Sequence, residues 1–323
     1  MKKGEKLLHR AIKIFVFIIF LSGCRRIPIL DETKDKILYR KGNCSVYVLD
    51  TGSSKSEILI KSPSGECIVG PIWIDEKRFI YYIDPLRGTP TTIHPLILAD
   101  VETGKQSVIY KEKSSFGNYY PLSNEEIMIQ EGIDNTWTLL LNVKTGETRD
   151  FLRLYPKLQR MGYFNILSGK DSIIIQGLDD RKYKDLPRWP TGYIIRFSDS
   201  LDDMYLYDIG EDKLIQLTDT RWSDVHPVWS PNGKYIAFAS NKEGNYDIYL
   251  MKLEGREIRQ LTTDQGMDKY PEYSPDGSKI AFISDRSGED QVWLMDLNGK
   301  GLKQLTEIET GVGGPLSWNP KKK

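Results

Sequence analysis

The strongest constraint on this chain is a repeat. His226-Pro-Val-Trp-Ser-Pro-Asn-Gly-Lys-Tyr-Ile-Ala-Phe is followed by Tyr270-Pro-Glu-Tyr-Ser-Pro-Asp-Gly-Ser-Lys-Ile-Ala-Phe, and Pro227 and Pro271 stand 44 residues apart. Gly233 and Gly277 keep that interval, as do Tyr249-Leu-Met and Trp293-Leu-Met. Gln216-Leu-Thr, Gln260-Leu-Thr and Gln304-Leu-Thr extend it to three units. A fixed period in the 40s, built of short strands, is the signature of a β-propeller whose blades are four-stranded antiparallel sheets.

The chemistry inside one unit agrees. Pro-Val-Trp-Ser reads as a first strand, and Pro-Asn-Gly or Pro-Asp-Gly as a turn in which Pro presets φ and Gly supplies the left-handed position. Lys-Tyr-Ile-Ala-Phe is a second strand, Asp247-Ile-Tyr-Leu-Met-Lys a third, and Ile258-Arg-Gln-Leu-Thr a fourth. Similar hairpins in another all-β fold are the alternative, and three copies of one triplet at equal spacing argue against it. From about Met204 to the end the repeats resemble the TolB-type propeller, also found beside the catalytic domain of prolyl oligopeptidase-like peptidases. The resemblance implies a fold rather than an activity.

Turn signals at Gly52, Gly104, Gly146, Gly210, Gly255 and Gly299 fall between third and fourth strands. Inner first strands are expected near Ile72, Tyr120, Tyr163, Val228, Glu272 and Leu316, which makes six blades. The chain ends on an inner strand and its folded part begins on a second strand. The C-terminal strand is therefore expected to pair with Ile37-Leu-Tyr39, closing the ring without an open edge. Residues 37–323 are expected to form this one domain.

Ahead of it stands a targeting segment. Lys2, Lys3, Lys6, Arg10 and Lys13 form a basic stretch, Ile14 to Leu21 an uncharged apolar one, and Leu21-Ser22-Gly23-Cys24 resembles a bacterial lipobox. Eight apolar residues are too few to span a bilayer. The resemblance implies a signal peptide over residues 1–23, lipidation at Cys24, and a tether over 24–36 holding the domain at a membrane surface outside the cytoplasm. Losing residues 1–23 takes five Lys/Arg and one Glu from a chain with 45 charges of each sign, leaving it four charges negative. That argues against a nucleic-acid partner. Cys44 and Cys67 remain in a disulfide-permissive compartment. They either pair, or one is a loop thiol and the other a small buried apolar residue. Metal binding is not expected, since no CxxC or clustered His accompanies them.

Long insertions fall between second and third strands, on the face where each blade hands over to the next. Blade two carries Asp84 to Pro95 with His94, and blade four carries a run from Gly177 to about Asp202. Insertions of this length are usually functional or disordered. The second holds Arg181, Tyr183, Arg188, Trp189 and Tyr193. Aromatics with Arg anchor protein interfaces, and aromatic faces also stack on sugars. The same side chains would serve equally to cover the channel. Asp224 and Asp268 stand three before the repeat prolines, and His226 and Tyr270 one before. At a channel mouth these groups could hold a cation or polar ligand, or the Asp side chains could instead satisfy turn N–H groups.

Three histidines, His9, His94 and His226, leave little for a His-rich metal site. There is no Gly-x-Ser-x-Gly elbow and no sialidase-type box, and no cofactor is expected. The function expected is a membrane-tethered protein-binding scaffold with cell-envelope partners. Glycan binding or sensing is an alternative, as is glycan or peptide processing by channel-face carboxylates. TolB proper carries an α/β domain before its propeller and no lipid, so the Tol role itself does not carry over.

Overall fold

A computed structural model describes residues 35–320 apart from 43, 63–65, 86–94, 112–116, 132–136, 153–159, 167–171, 179–201 and 209–210. Its strands run β1 (Lys36–Lys41), β2 (Val46–Asp50), β3 (Lys55–Ile60), then β4 (Glu66–Trp73), β5 (Arg78–Pro85), β6 (Pro95–Asp100), β7 (Gln106–Lys111). Blade three holds β8 (Gly117–Pro121), β9 (Glu126–Glu131), β10 (Trp137–Asn142) and β11 (Thr148–Leu152). Blade four holds β12 (Arg160–Ile166), β13 (Ser172–Leu178), β14 (Asp203–Asp208) and β15 (Lys213–Gln216). The two clean repeats follow as β16 (Asp224–Trp229), β17 (Tyr235–Ser240), β18 (Asp247–Lys252), β19 (Glu257–Gln260), and β20 (Asp268–Tyr273), β21 (Lys279–Ser284), β22 (Gln291–Asp296), β23 (Lys303–Gln304). The last strand is β24 (Val312–Trp318).

These form six four-stranded antiparallel sheets, five of them consecutive in sequence. The sixth is ordered β24-β1-β2-β3, so the C-terminal strand completes blade one as expected. Ile37 pairs with Trp318 and Leu38 with Ser317. Ser317 Oγ accepts the Trp73 N–H at 3.0 Å, and Asn319 donates to the Lys36 and Glu76 carbonyls at 2.8 and 3.0 Å. The closing strand thus ties blade one to blade two as well. Inner strands touch in a cycle, β4 to β8, β8 to β12, onward to β24 and back to β4.

A propeller has no single centre to its core, and the buried clusters show this. There are six among the described residues, one at each junction between blades. Blades five and six meet through Ala237, Leu250, Ile280 and Phe282. Blades six and one meet through Ile283, Leu294, Ile37 and Trp318. Each middle strand is buried on both faces, so successive side chains serve opposite junctions: Ile280 and Phe282 pack toward blade five, Ala281 and Ile283 toward blade one. That requirement explains why Tyr-Ile-Ala-Phe and Lys-Ile-Ala-Phe are continuous apolar runs instead of alternating ones.

The Gln-Leu-Thr triplet has an equally local cause. Thr218, Thr262 and Thr306 Oγ1 each accept a backbone N–H just inside the third strand, from Met204, Ile248 and Val292, all at 2.9 Å. Each hydroxyl also reaches the first side chain of that strand: Asp203, Asp247 and Gln291 at 3.5, 3.3 and 2.7 Å. In each of these three blades one buried Thr therefore satisfies two polar groups that the sheet ladder leaves over.

Candidate functional site at the channel mouth

The site is built by a defect repeated in the inner strands. In β4, β16 and β20 the register slips across the pre-proline residue and the Pro itself, between Val69 and Ile72, Val225 and Val228, and Lys269 and Glu272. The residue before the Pro lies in left-handed backbone each time, at φ 58° for Gly70, 52° for His226 and 53° for Tyr270, and Gly314 before Pro315 is at 78°. Gly accepts this conformation freely. A His or Tyr there costs on the order of 1–3 kcal/mol, and such strain in side-chain-bearing residues points to use.

What the bulges achieve is a contact between blades. The rings of His226 and Tyr270 lie 3.9 Å apart at 31° across the junction of blades five and six. Gln176, at the end of β13, holds the bulge: its Oε1 accepts the His226 N–H at 3.0 Å while its Nε2 donates to Asp202 at 2.8 Å. Burial first, and the Lys269 ammonium second, push the His226 imidazole down to about 3, so it is neutral at pH 7. Burial also raises the Tyr270 phenol, opposed by Arg40 and aided by Asp290. One residue past Pro271, burial pushes the Glu272 carboxyl up to about 8, although its Oε1 takes the Trp318 N–H at 3.5 Å. At neutral pH that carboxyl is largely protonated.

Arg40 completes the arc. It is the penultimate residue of β1, opposite Gly313. Its Nη1 lies 3.3 Å from Cys67 Sγ and 3.8 Å from Cys44 Sγ, and the structure joins those two cysteines in a disulfide. The bond ties the β1–β2 loop of blade one to the inner strand of blade two.

Asp224 and Asp268 sit elsewhere. They are 2% and 0% exposed, so they are not available to a partner on the surface. Both are met by side chains: Asp224 takes the Thr220 hydroxyl at 3.2 Å, and Asp268 takes Arg286 Nη2 at 2.7 Å. Burial raises both carboxyls, opposed by hydroxyls and, for Asp268, by Arg286. Arg286 also binds Asp264 at 2.7 Å and lies over the Phe282 and Trp293 rings. These carboxylates are part of the joints between blades. Among the described residues no group of three or more His, Cys, Asp or Glu is placed to hold a metal.

His94, Arg181, Tyr183, Arg188, Trp189, Tyr193 and Cys24 lie outside the described residues. Sequence reasoning missed Arg40, Gln176, Lys269 and Glu272. It also missed the left-handed backbone at His226 and Tyr270, although a signal existed: Gly occupies the same pre-proline position at Gly70 and Gly314.

A family model described as the TolB β-propeller domain matches residues 191–321. Over those residues the chain matches the TolB-type β-propeller family. TolB from Acinetobacter baumannii has a similar structure, with TM-score 0.66 and 18% identity over 91% of this chain and 68% of that one. A protein described as TolB from Agrobacterium tumefaciens gives 0.57 and 17% over 89% and 99%. An oligogalacturonate lyase in complex with manganese gives 0.54 and 14% over 81% and 74%. At these identities the likeness concerns the fold. No curated protein sequence matches the chain. Within the TolB-type propeller, the family match spans the best-kept blades, whereas the mouth also draws on Arg40, Cys44 and Cys67 from outside it.

Proposed function

We propose that this protein is an extracytoplasmic, membrane-tethered scaffold that binds a protein partner of the cell envelope on the channel-mouth face. The observation that carries the reading is the His226–Tyr270 pair, two ring-bearing residues held in backbone that glycine would occupy at lower cost. The Cys44–Cys67 disulfide favours an oxidising compartment, in keeping with the leader and lipobox pattern. TolB-named proteins share the fold.

The test is a crosslinking pull-down from native membranes with the full chain. A partner captured by the native protein and lost from His226→Gly and Tyr270→Gly double variants is expected. Capture unaffected by those changes would place the interface elsewhere. The tether is tested separately by metabolic labelling with a palmitate analogue: label should be lost in Cys24→Ser, and retained label would end the lipoprotein reading. Trp189→Ala with Arg188→Ala tests whether the blade-four insertion shares in the contact, with weaker capture expected.

A further inference from the structure

Arg40 is held in an unusual way. Its guanidinium can donate five hydrogen bonds in a planar fork, yet among the described residues its hydrogen-bond acceptors are the two disulfide sulfurs, which are weak ones. No carboxylate ion-pairs with it among those residues. On its other side the space exists only because position 313 is glycine: a Cβ there would stand 2.8 Å from Arg40 Nη2 and 3.2 Å from Cζ. The disulfide and Gly313 thus clamp the guanidinium from two blades while leaving its donor capacity largely unspent. Tyr270 lies within its electrostatic reach, and His226 stacks on Tyr270.

Lys269 acts on both His226 and Asp290, and Asp290 is exposed and also faces the Asp285 and Glu289 carboxylates. At neutral pH His226 is neutral and Glu272 largely protonated. Arg40 is thus a clamped cation within reach of the Tyr270 ring, with the His226 ring beside it.

We propose that the channel mouth recognises a carboxylate of a peptide partner, gripped by the Arg40 fork with the adjoining peptide laid on the Tyr270–His226 pair. This rests on the protein-binding reading above and adds the chemistry of what is bound. A planar guanidinium fork matches the two oxygens of a planar carboxylate. The disulfide is the positioning device: reduction frees Cys44 and Cys67 and removes one jaw of the clamp.

The experiment is an NMR titration of the full chain in detergent, following the Arg40 Nε–H and Tyr270 ring signals. Three probes separate the sources of the carboxylate: acetyl-Ala-Ala with a free terminus, its C-terminal amide, and acetyl-Ala-Glu amide. Saturable shifts with one or both acids and none with the amide are expected. Arg40→Gln should weaken the acid about tenfold or more, since charge-assisted bonds are worth about 1.5–3 kcal/mol. Gly313→Ala or dithiothreitol should weaken it less, with folding checked by near-ultraviolet dichroism. Equal shifts from acid and amide, no shifts from any probe, binding retained in Arg40→Gln, or tighter binding of inorganic phosphate would each overturn the proposal. The scaffold reading is judged apart from it: partner capture by the native chain that persists in Arg40→Gln sinks the carboxylate contact and leaves the scaffold standing.

Discussion

Replacing Glu272 with Gln should make the protein harder to unfold in mildly alkaline solution and change little in acid. Burial pushes this carboxyl from 4.5 up to about 8. Between those values the folded chain holds a proton that the unfolded chain releases, so stability falls as pH rises across the window and the full cost is present above 8. At about 1.36 kcal/mol per pH unit the ceiling is about 5 kcal/mol. Glu272 keeps part of its surface in water, so solvent screening cuts this to about 2 kcal/mol. Gln has the same shape and its Oε1 can still take the Trp318 N–H, so packing is preserved. For a domain this large about 2 kcal/mol corresponds to a melting shift of about 4 °C. The assay is thermal unfolding of both proteins at pH 5 and pH 8.5, followed by tryptophan fluorescence. The curves should nearly coincide at pH 5 and separate at 8.5 with the Gln variant higher. Parallel profiles, or a Gln variant less stable at both values, would refute the claim that a protonated carboxyl sits against the inner strands.

Other outcomes follow from the same structure. Thr262→Val keeps the shape but leaves the Ile248 N–H and one Asp247 oxygen unserved, so a loss of about 1–3 kcal/mol in urea unfolding is expected; a neutral result would show the triplet is not structural. Arg286→Met leaves Asp268 buried without its counter-charge, with a loss of about 3 kcal/mol at pH 7. The carboxyl pKa rises further in that variant, so stability should partly return as pH falls toward 5; a pH-independent deficit would contradict this. His226→Gly relieves left-handed strain and should raise stability by about 1 kcal/mol while abolishing partner capture. Lower stability in that variant would mean the ring stack outweighs the strain.

The legibility of this protein follows the range of the interactions involved. The blade repeat was readable because its causes lie within one unit: Gly233 and Gly277 in turns, apolar runs at Tyr235–Phe238 and Lys279–Phe282, and a Thr that caps its own blade's third strand. Ring closure was readable too, since an inner strand left over at Leu316 and a second strand at Leu38 need each other. The mouth was only half legible. His226 and Tyr270 stood out by position, but their left-handed backbone and mutual stacking exist only once two bulged strands are set side by side. Asp224 and Asp268 could by sequence serve a ligand or their own turns, and only the fold shows them buried against Thr and Arg side chains. Arg40 gave no local signal. It is one Arg in a strand, and its surroundings come from Cys67, 27 residues on, and Gly313 at the far end of the chain. Sequence alone determined the periodic scaffold, whose energies are short-range and repeat. The tertiary structure decided the site, because closing the ring is what carries Arg40, Cys67, Tyr270 and Gly313 to one mouth.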